Sequence, residues 1–372
     1  MKRKYLLALA GVVVAAAVAA AALGMSRAQA APKLTHVTLQ LKWVTQSQFA
    51  GYYAAVQQGY YKKAGLDVTL KVGGPDITPE QTVLGGQAEF GLDWLPNLFA
   101  TREKGGQIVS VAQVFARSGM TELTWKSSGI DTIKKMARKK VGVWCCGNQP
   151  ELFAALTKNG INPAKKSQVT IVNQPFSMDL FLQHKIDAAA AMTYNELAQV
   201  LETKNPDTGK LYTLKDLNVF KMDSPSVGTG MLEDNIFTTA KWLNDPAHKV
   251  ITTAFLKASF QGWIYCRDHV QQCTDLVVSQ GTALGRTHQL WQMNEINKLI
   301  WPTPTGIGHV TPKQIANTAT IAKTYGVIKK LPSKATTYSF ADKALDQLKK
   351  AGVDVYGKNY KPISVTLTEG GK

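Results

Sequence analysis

Short strand patterns alternate with short helix patterns along the first part of this chain, and this alternation limits the possible folds more than any other feature. The strand patterns occupy residues 35–42, 68–72, 89–92 and 108–115, and the helix patterns occupy residues 49–63, 79–84 and 95–104. Strands separated by helices at this spacing favour a mostly parallel sheet covered by helices. The first part of the chain is therefore expected to form an α/β unit.

The alternation begins again at Lys139. Strands are predicted at residues 140–143, 169–172 and 187–192, helices at residues 151–158, 178–183 and 194–203, and a surface turn at residues 205–209. From Phe237 onward the pattern is mainly helical, and its candidate core side chains are Trp242, Phe255, Phe260, Trp263, Leu290 and Trp291. Two α/β units followed by a helical C-terminal part are typical of a two-lobed clamp that closes about a hinge.

The N-terminus has the parts of an export signal. Basic residues 2–4 precede the apolar residues 5–23, and Ala28-Gln29-Ala30 supplies the pattern that signal peptidase cleaves, here before Ala31. An uncleaved membrane anchor is the alternative, because this apolar stretch is longer than that of most signal peptides. No cysteine precedes Cys145, which excludes a lipid-modified cysteine near the start. A cleaved signal peptide at residues 1–30 and a periplasmic mature protein are expected.

The remaining 342 residues exceed the size of one ordinary core and suit two lobes. Cleavage would lower the formal net charge from +17 to +13, because Lys2, Arg3, Lys4 and Arg27 would leave. A basic excess can indicate nucleic-acid binding. Here the lysines are scattered and no long basic run occurs, so we interpret them as solvated surface with a weak attraction for anions.

Four cysteines form two close pairs, Cys145 with Cys146 and Cys266 with Cys273. An oxidising compartment permits disulfides, so all four are disulfide candidates. On one straight helix the second pair would lie ~10 Å apart, beyond disulfide reach. A disulfide between Cys266 and Cys273 therefore predicts a break in the helix between them. His269 is the one histidine near either pair, so no metal site is predicted.

Aromatic and amide side chains recur where the predicted strands end. Ligands of open α/β sheets bind beyond the carboxyl ends of strands, so these residues are candidates for a ligand site. They are Trp43, Gln48, Tyr52, Asp93, Trp94, Trp144, Asn148, Tyr194, Asn195 and Glu196. Flat aromatic rings beside directional hydrogen-bonding groups suit a planar heterocycle. The alternative for each aromatic residue is a structural role in the core.

Three carboxylates are candidates for contact with the ligand. Asp93 and Glu196 could accept hydrogen bonds from a ligand, whereas Glu151 follows Pro150 and is assigned to the start of a helix. No nucleophile-elbow, P-loop or zinc-protease motif occurs, and Gly73-Gly74 and Gly105-Gly106 lack the dinucleotide spacing. The sequence therefore predicts no catalytic residues, no metal and no cofactor.

Four segments resemble the thiamine-precursor and sulfonate solute-binding family of ABC importers. They are Leu39–Trp43, Gln48–Tyr53, Gly59–Val68 and Gly86–Gly91, and the similarity extends through Lys185–Ala188. The resemblance implies an α/β protein with a type II periplasmic-binding fold, two lobes and chain crossings near Ser127 and Val227. It implies lobes at residues 31–126, 127–227 and 228–372, the last range returning to the first lobe. It further implies a monomer that binds a small molecule and meets a membrane permease.

The resemblance also suggests the ligand. Formylated or hydroxymethyl aminopyrimidines, precursors of thiamine, are the leading class, while related branches take riboflavin-like flavins or alkanesulfonates. A sensor protein that reads a ligand without a permease is a further alternative.

The same family includes thiamine pyrimidine synthases, which consume their own histidine and a bound pyridoxal phosphate. In those enzymes a lysine stands where this chain has Asp93, and the consumed histidine stands where it has Asn97. A cysteine-rich run of the synthases corresponds to Val227–Met231, which contains no cysteine. Because Asp and Asn cannot supply amine and imidazole chemistry, the enzyme reading is disfavoured.

Overall fold

A computed structural model describes residues 33–281 and 284–372. The predicted signal peptide and its cleavage site at Ala30–Ala31 lie outside these residues. Within the described residues, no helix combines the length and the apolar character needed to cross a membrane.

Ten strands in the described part of the chain form two sheets. They are β1 (Thr35–Gln40), β2 (Leu66–Lys71), β3 (Phe90–Trp94), β4 (Ile108–Gln113), β5 (Met120–Trp125), β6 (Lys140–Val143), β7 (Thr170–Asn173), β8 (Ala188–Met192), β9 (Leu217–Lys221) and β10 (Asp234–Thr239). The first sheet has the order β2-β1-β3-β10-β4, and the second has the order β7-β6-β8-β5-β9. In each sheet the fourth strand in this order runs antiparallel to its neighbours, because it enters from the other half of the chain. Two α/β sheets of matching order confirm the predicted fold class.

Helices cover the sheets, and the longest lie in the C-terminal part. They are α1 (Ala50–Gln57), α2 (Tyr60–Lys63), α3 (Pro79–Leu84), α4 (Leu95–Glu103), α5 (Pro150–Lys158), α6 (Asp179–Leu182), α7 (Glu196–Leu201), α8 (Ala240–Asn244), α9 (Pro246–Asp268), α10 (Val270–Gln280), α11 (Arg286–Ile300), α12 (Pro312–Thr324) and α13 (Ser339–Lys350). Local signals fix several starts: Asp245 accepts a hydrogen bond from the Ala247 amide ahead of α9, and Thr311 with Gln314 forms a capping box on α12.

Helices α1 and α9 approach so closely that only glycine fits between them. A Cβ atom on Gly51 would lie 2.2 Å from the Trp263 ring, and one on Gly262 would lie 1.9 Å from the Gly51 carbonyl oxygen. Trp263, Phe255, Phe260 and Leu290 are buried as predicted, whereas Trp242 and Trp291 are only half-buried. Gly51, within one of the family-like segments, therefore serves the packing that holds α1 behind the cleft.

The chain crosses between the sheets twice, and the first crossing differs from the predicted one. Strand β5 pairs with β8 and β9 of the second sheet, so the boundary predicted after residue 126 is too late. The first crossing lies between Gln113 and Met120, and the second, predicted near Val227, lies between Lys221 and Asp234. We propose lobe boundaries at these two crossings.

Two buried carboxyl groups join the crossings to each other. Glu233 accepts hydrogen bonds from the amides of Gly119 and Met120 at 2.9 and 3.0 Å, and Glu151 accepts one from the amide of Met231 at 3.0 Å. The Ser118 hydroxyl lies 2.7 Å from Glu151 and 3.0 Å from Glu233. Burial raises the pKa of Glu233 to about 8 and holds the pKa of Glu151 well above its usual range. Glu151 lies in the first turn of α5, as predicted, and its carboxyl group also binds both crossings.

The structure joins Cys266 and Cys273 by a disulfide with a Cα–Cα distance of 5.3 Å. Helix α9 ends at Asp268 and α10 begins at Val270, which is the predicted break. Cys145 and Cys146 are free thiols in the structure, so these two disulfide candidates are not joined to each other.

We expect peptide mapping without reduction to recover Cys266 and Cys273 as one linked pair in exported protein. Because the disulfide closes a short loop of the unfolded chain, a Cys266→Ala/Cys273→Ala variant should lose about 2–3 kcal/mol of unfolding free energy. Cys146→Ala, which removes an exposed free thiol, should leave stability unchanged. Free thiols at positions 266 and 273 in exported material would contradict the disulfide.

Candidate ligand-binding site

A cavity lies between the two lobes at the strand ends selected from the sequence. Its wall comprises Lys42, Trp43, Gln46, Gln48 and Trp94 from the first lobe, and Trp144, Asn148, Met192, Tyr194, Asn195 and Glu196 from the second. About 310 Å³ of its space is free of protein atoms, part of it open to solvent. The centre of a water-sized sphere can reach only about 20 Å³ of it, room for about one water molecule, so the lobes must separate before a larger ligand can enter.

Eight of the ten residues predicted for the site line this cavity, and Tyr52 and Asp93 do not. Tyr52 packs edge-on against Trp263 at 5.6 Å between ring centroids, inside the core of the first lobe. Asp93 lies behind the wall, where its carboxylate pairs with Lys42. Lys42, Gln46 and Met192 line the cavity but were not selected. Lys42 and Gln46 belong to the same strand-end run as Trp43, and Met192 is the last residue of β8, so position alone could have identified them.

Aromatic rings from both lobes meet at the cavity. The Trp43 ring lies 6.5 Å from Trp144 and 5.1 Å from Phe176, with interplanar angles of 70° in both pairs. Trp43 belongs to the first lobe and the other two belong to the second, so the lobes are in contact here. The indole N–H of Trp144 is buried and has no hydrogen-bond partner among the described residues. A ligand acceptor in the cavity could satisfy it.

A buried ion pair lies directly behind the aromatic wall. The Lys42 ammonium contacts the Asp93 carboxylate, and their side chains are 6% and 3% exposed. Asp93 also accepts hydrogen bonds from the Trp94 amide at 2.6 Å and the Asn97 side chain at 2.9 Å, while Lys42 lies 4.9 Å from the centroid of the Trp94 ring. Burial, and then the nearby Asp93, hold the pKa of Glu80 well above its usual range. Asp93 therefore neutralises the charge of Lys42 when no ligand is bound.

A chain of amide hydrogen bonds crosses from the first lobe to the second. Gln48 Nε2 donates to Asp234 Oδ2 at 2.8 Å, and Gln46 Nε2 donates to Gln48 Oε1 at 2.7 Å. Gln292 Nε2 then donates to Gln46 Oε1 at 3.2 Å and to Asn195 Oδ1 at 2.8 Å. Burial raises the pKa of Asp234 to about 6, so the group is ionised near neutral pH. Because an ionised carboxylate only accepts, Asp234 then fixes the direction of every amide in this relay. The polar wall of the cavity is thus oriented in advance.

Glu196 closes the polar side of the cavity. It accepts hydrogen bonds from the Met192 amide at 2.9 Å and from Asn195 Nδ2 at 2.6 Å. Burial raises the pKa of Glu196 to about 7, against the opposing effect of these hydrogen bonds. The side chain can therefore accept from a ligand, or donate to one when protonated. In the part of the chain that the structure describes, no cluster of three or more His, Cys, Asp or Glu side chains could hold a metal ion.

A family model described as "NMT1/THI5 like" matches residues 46–273. The chain belongs to this family. No curated protein gives a significant sequence match.

Solved structures show the same fold as this NMT1/THI5-like chain. The periplasmic aliphatic sulphonate-binding protein SsuA of Escherichia coli is 15% identical with a TM-score of 0.57, and the alignment covers 81% of this chain and 95% of that one. The periplasmic nitrate-binding protein NrtA of Synechocystis PCC 6803 is 12% identical with a TM-score of 0.59, covering 86% and 90%. A putative sulfonate ABC transporter protein of Methylobacillus flagellatus KT is 13% identical with a TM-score of 0.58, covering 90% and 99%. The periplasmic-binding-protein fold expected from the sequence is confirmed.

Proposed function

We propose that this chain is the exported, periplasmic solute-binding component of an ABC importer, and that it captures a small planar heterocycle between its lobes. The observation that carries the proposal is the cavity itself, which takes aromatic and amide side chains from both lobes. Family membership and the fold of the named sulfonate- and nitrate-binding proteins support the same role. A membrane permease is the proposed partner, and the binding protein acts as a monomer.

The charges of the wall favour a neutral or weakly basic ligand over an anion. Lys42 is the one lysine or arginine among the described residues that line the cavity, and Asp93 neutralises it. Glu196 lies on the opposite lobe and Asp234 directly behind Gln48. A sulfonate or nitrate would meet these carboxylates without an unpaired cation, and burying an unpaired charge is costly.

An aminopyrimidine of the thiamine-precursor class satisfies the groups that face the cavity. Its ring nitrogens could accept from the buried Trp144 N–H, its amino group could donate to Glu196, and its ring could stack against tryptophan. A single ring would require less separation of the lobes than the three fused rings of a flavin. Neither Asp93 nor Asn97 offers the amine or imidazole of a pyrimidine synthase, and Lys42, the one lysine among the described residues that line the cavity, is held in an ion pair.

The ligand is tested by calorimetry and melting curves with 4-amino-5-hydroxymethyl-2-methylpyrimidine, its formylamino analogue, thiamine, riboflavin, ethanesulfonate and nitrate. A ligand at a hundred times its dissociation constant should stabilise the fold by ~2.7 kcal/mol. We expect the pyrimidines to do so and the anions to have no effect. Binding of ethanesulfonate or nitrate with no response to the pyrimidines would overturn the ligand class.

Trp94→Ala and Trp144→Ala should each weaken binding of the hydroxymethylpyrimidine by roughly ten- to a hundredfold, because each removes a buried ring worth on the order of 1–3 kcal/mol. Trp242→Ala is the matched control, since Trp242 stacks on His248 and does not line the cavity. It should lower the melting temperature and leave affinity unchanged. Wild-type affinity in Trp94→Ala, together with a large loss of melting temperature, would place Trp94 in the core alone.

A further inference from the structure

His288 bridges the two lobes beside the cavity without lining it. It lies on α11, which is tied to the first lobe because the Ser47 hydroxyl donates to the Gln289 carbonyl oxygen at 2.9 Å. His288 Nδ1 lies 2.9 Å from Glu202 Oε2, and its Nε2 lies 2.8 Å from Asn195 Oδ1, both in the second lobe. The side chains of His288 and Glu202 are 13% and 6% exposed. The imidazole ring therefore lies where the closed lobes touch.

Both atoms that face the ring are hydrogen-bond acceptors. Glu202 presents a carboxylate oxygen, which accepts only when it is ionised. Asn195 presents its oxygen, because its amino group donates to Glu196 and because Gln292 donates to the same oxygen. The relay anchored at Asp234 fixes this orientation, since reversing Asn195 would require every amide back to that carboxylate to reverse as well. One further contact, 3.2 Å between Gln292 Nε2 and His288 Nε2, adds no donor to the ring, because both hydrogens of that amide already point to oxygens.

A neutral imidazole carries one N–H and one lone pair, so it would leave one nitrogen facing an acceptor at less than 3 Å. An imidazolium carries two N–H groups and satisfies Glu202 and Asn195 together. The closed contact is therefore complete only when His288 is protonated. Opening the lobes would separate the ring from both acceptors and remove the need for the second proton.

The other charged groups around the ring do not replace this proton. Burial raises the pKa of Glu196, bonded to Asn195, to about 7 and that of Asp234, at the far end of the relay, to about 6, so both groups titrate over the range of the test in every variant compared below. Lys204 and Glu369 form their own ion pair at 2.6 Å, on the segments next to Glu202. Arg286, on the same helix as His288, pairs with Asp275 at 2.6 Å. The C-terminal residue Lys372 is joined to α11 through the Thr287 hydroxyl.

We propose that His288 is a positioning residue of the ligand site, and that closure of the lobes takes up a proton at its imidazole. Protonated His288 donates a hydrogen bond to the Asn195 side-chain oxygen, which keeps the Asn195 amino group directed at Glu196. Asn195 and Glu196 both line the cavity, so the consequence for ligand binding rests on the proposed function. Ligand affinity should then fall as pH rises and the imidazolium is lost. An imidazolium that gains hydrogen-bond acceptors on closure stabilises the closed state at low pH. This stabilisation is lost as pH rises and the imidazolium loses its proton.

The test compares wild type with His288→Gln, Glu202→Gln and the control His36→Gln. Glu202→Gln is decisive because its amide can donate to a neutral imidazole, so the bridge persists without the extra proton. His36 is an exposed histidine that faces Asp67 at 3.5 Å on the edge of the first lobe. Titration with 4-amino-5-hydroxymethyl-2-methylpyrimidine at about pH 5.5 and about pH 8.5, in buffers of different ionisation enthalpy, gives both affinity and protons taken up.

In wild type and His36→Gln we expect ligand affinity to be at least about fivefold weaker at the higher pH, and we expect net proton uptake on binding. One proton limits the change in affinity to about tenfold per pH unit. His288→Gln and Glu202→Gln should lack that component, and Glu202→Gln should keep at the higher pH the affinity that wild type has at the lower pH. Equal pH dependence and equal proton uptake in all four proteins would overturn the proposal.

A measurement without ligand separates this proposal from the proposed function. If the pyrimidine does not bind, the solute assignment fails, and the pH dependence of unfolding free energy still tests the bridge. We expect a loss of stability between about pH 5.5 and about pH 8.5 that is larger in wild type and His36→Gln than in His288→Gln and Glu202→Gln. An identical loss in all four would overturn the bridge even where the pyrimidine binds.

Discussion

Lys42→Met is expected to lower the free energy of unfolding by about 3–5 kcal/mol, because it leaves the Asp93 carboxylate buried without its ammonium partner. Asp93 is 3% exposed, and Glu80 beside it adds a second carboxyl group to the same pocket. Asp93→Asn should lower the free energy of unfolding by a similar amount, because it leaves the Lys42 ammonium buried without its carboxylate partner. Chemical denaturation near neutral pH measures each loss.

The double variant Lys42→Met/Asp93→Asn shows whether the cost comes from unpaired charge. It should recover most of the stability lost by either single variant, because no buried charge remains unpaired. Lys135→Met is the control, since its pair with Asp131 is more than half exposed at both ends and should contribute less than ~1 kcal/mol. A Lys42→Met protein as stable as the Lys135→Met protein would show that Asp93 does not depend on Lys42.

Glu122→Gln is expected to make the free energy of unfolding less sensitive to rising pH. Glu122 is fully buried in β5, and neither carboxyl oxygen has a hydrogen-bond partner among the described residues. Burial holds the pKa of Glu122 well above its usual range, so the folded state keeps a proton that the unfolded state releases. Stability therefore falls as pH rises above the unfolded value, by up to about 1.4 kcal/mol per pH unit, until the folded group also ionises.

Unfolding free energies from about pH 5 to about pH 7 measure this slope. The difference between wild type and Glu122→Gln should grow by about 2–3 kcal/mol across that range, since a glutamine does not titrate. Glu103→Gln is the control for removing a carboxyl group at the surface, where Glu103 accepts hydrogen bonds from the amides of Lys329 and Lys330. Parallel curves for wild type and Glu122→Gln would show that Glu122 is already ionised in the folded protein.

Most of the parallel strands could be predicted from the sequence. Strands β5 and β10, which enter each sheet antiparallel to their neighbours, could not. Strands β3 and β6 and helix α3 lie close to their predicted ranges because each is bounded by local turn residues. Strand β5 was missed because the buried Thr121 and Glu122 break the apolar pattern. Strand β10 was also missed: its end, from Phe237, falls in the region predicted to be mainly helical. Its first residues, Asp234 and Asn235, are polar, and the pairing that buries them comes from β3 and β4, more than a hundred residues earlier.

The cavity could be located from strand ends, but its polar connections could not. Trp43, Trp94 and Trp144 follow directly from strand position, because carboxyl ends of neighbouring strands meet at one edge. The pairing of Lys42 with Asp93 joins residues 51 positions apart. Gln292 and His288 come from a C-terminal helix whose sequence resembles that of any amphipathic helix. Such contacts depend on how distant segments are brought together, and no local pattern records that.

The two crossings between the lobes share one anchor, and this limits how the molecule can deform. Glu233 belongs to the second crossing and receives the amides of Gly119 and Met120 from the first, so neither segment can bend without the other. A rotation of the lobes about the anchored segments keeps these hydrogen bonds, whereas sliding or twisting of one segment against the other would break them. A motion so restricted loses little conformational entropy when it stops. More of the contact energy between ligand and cavity should consequently be available as affinity.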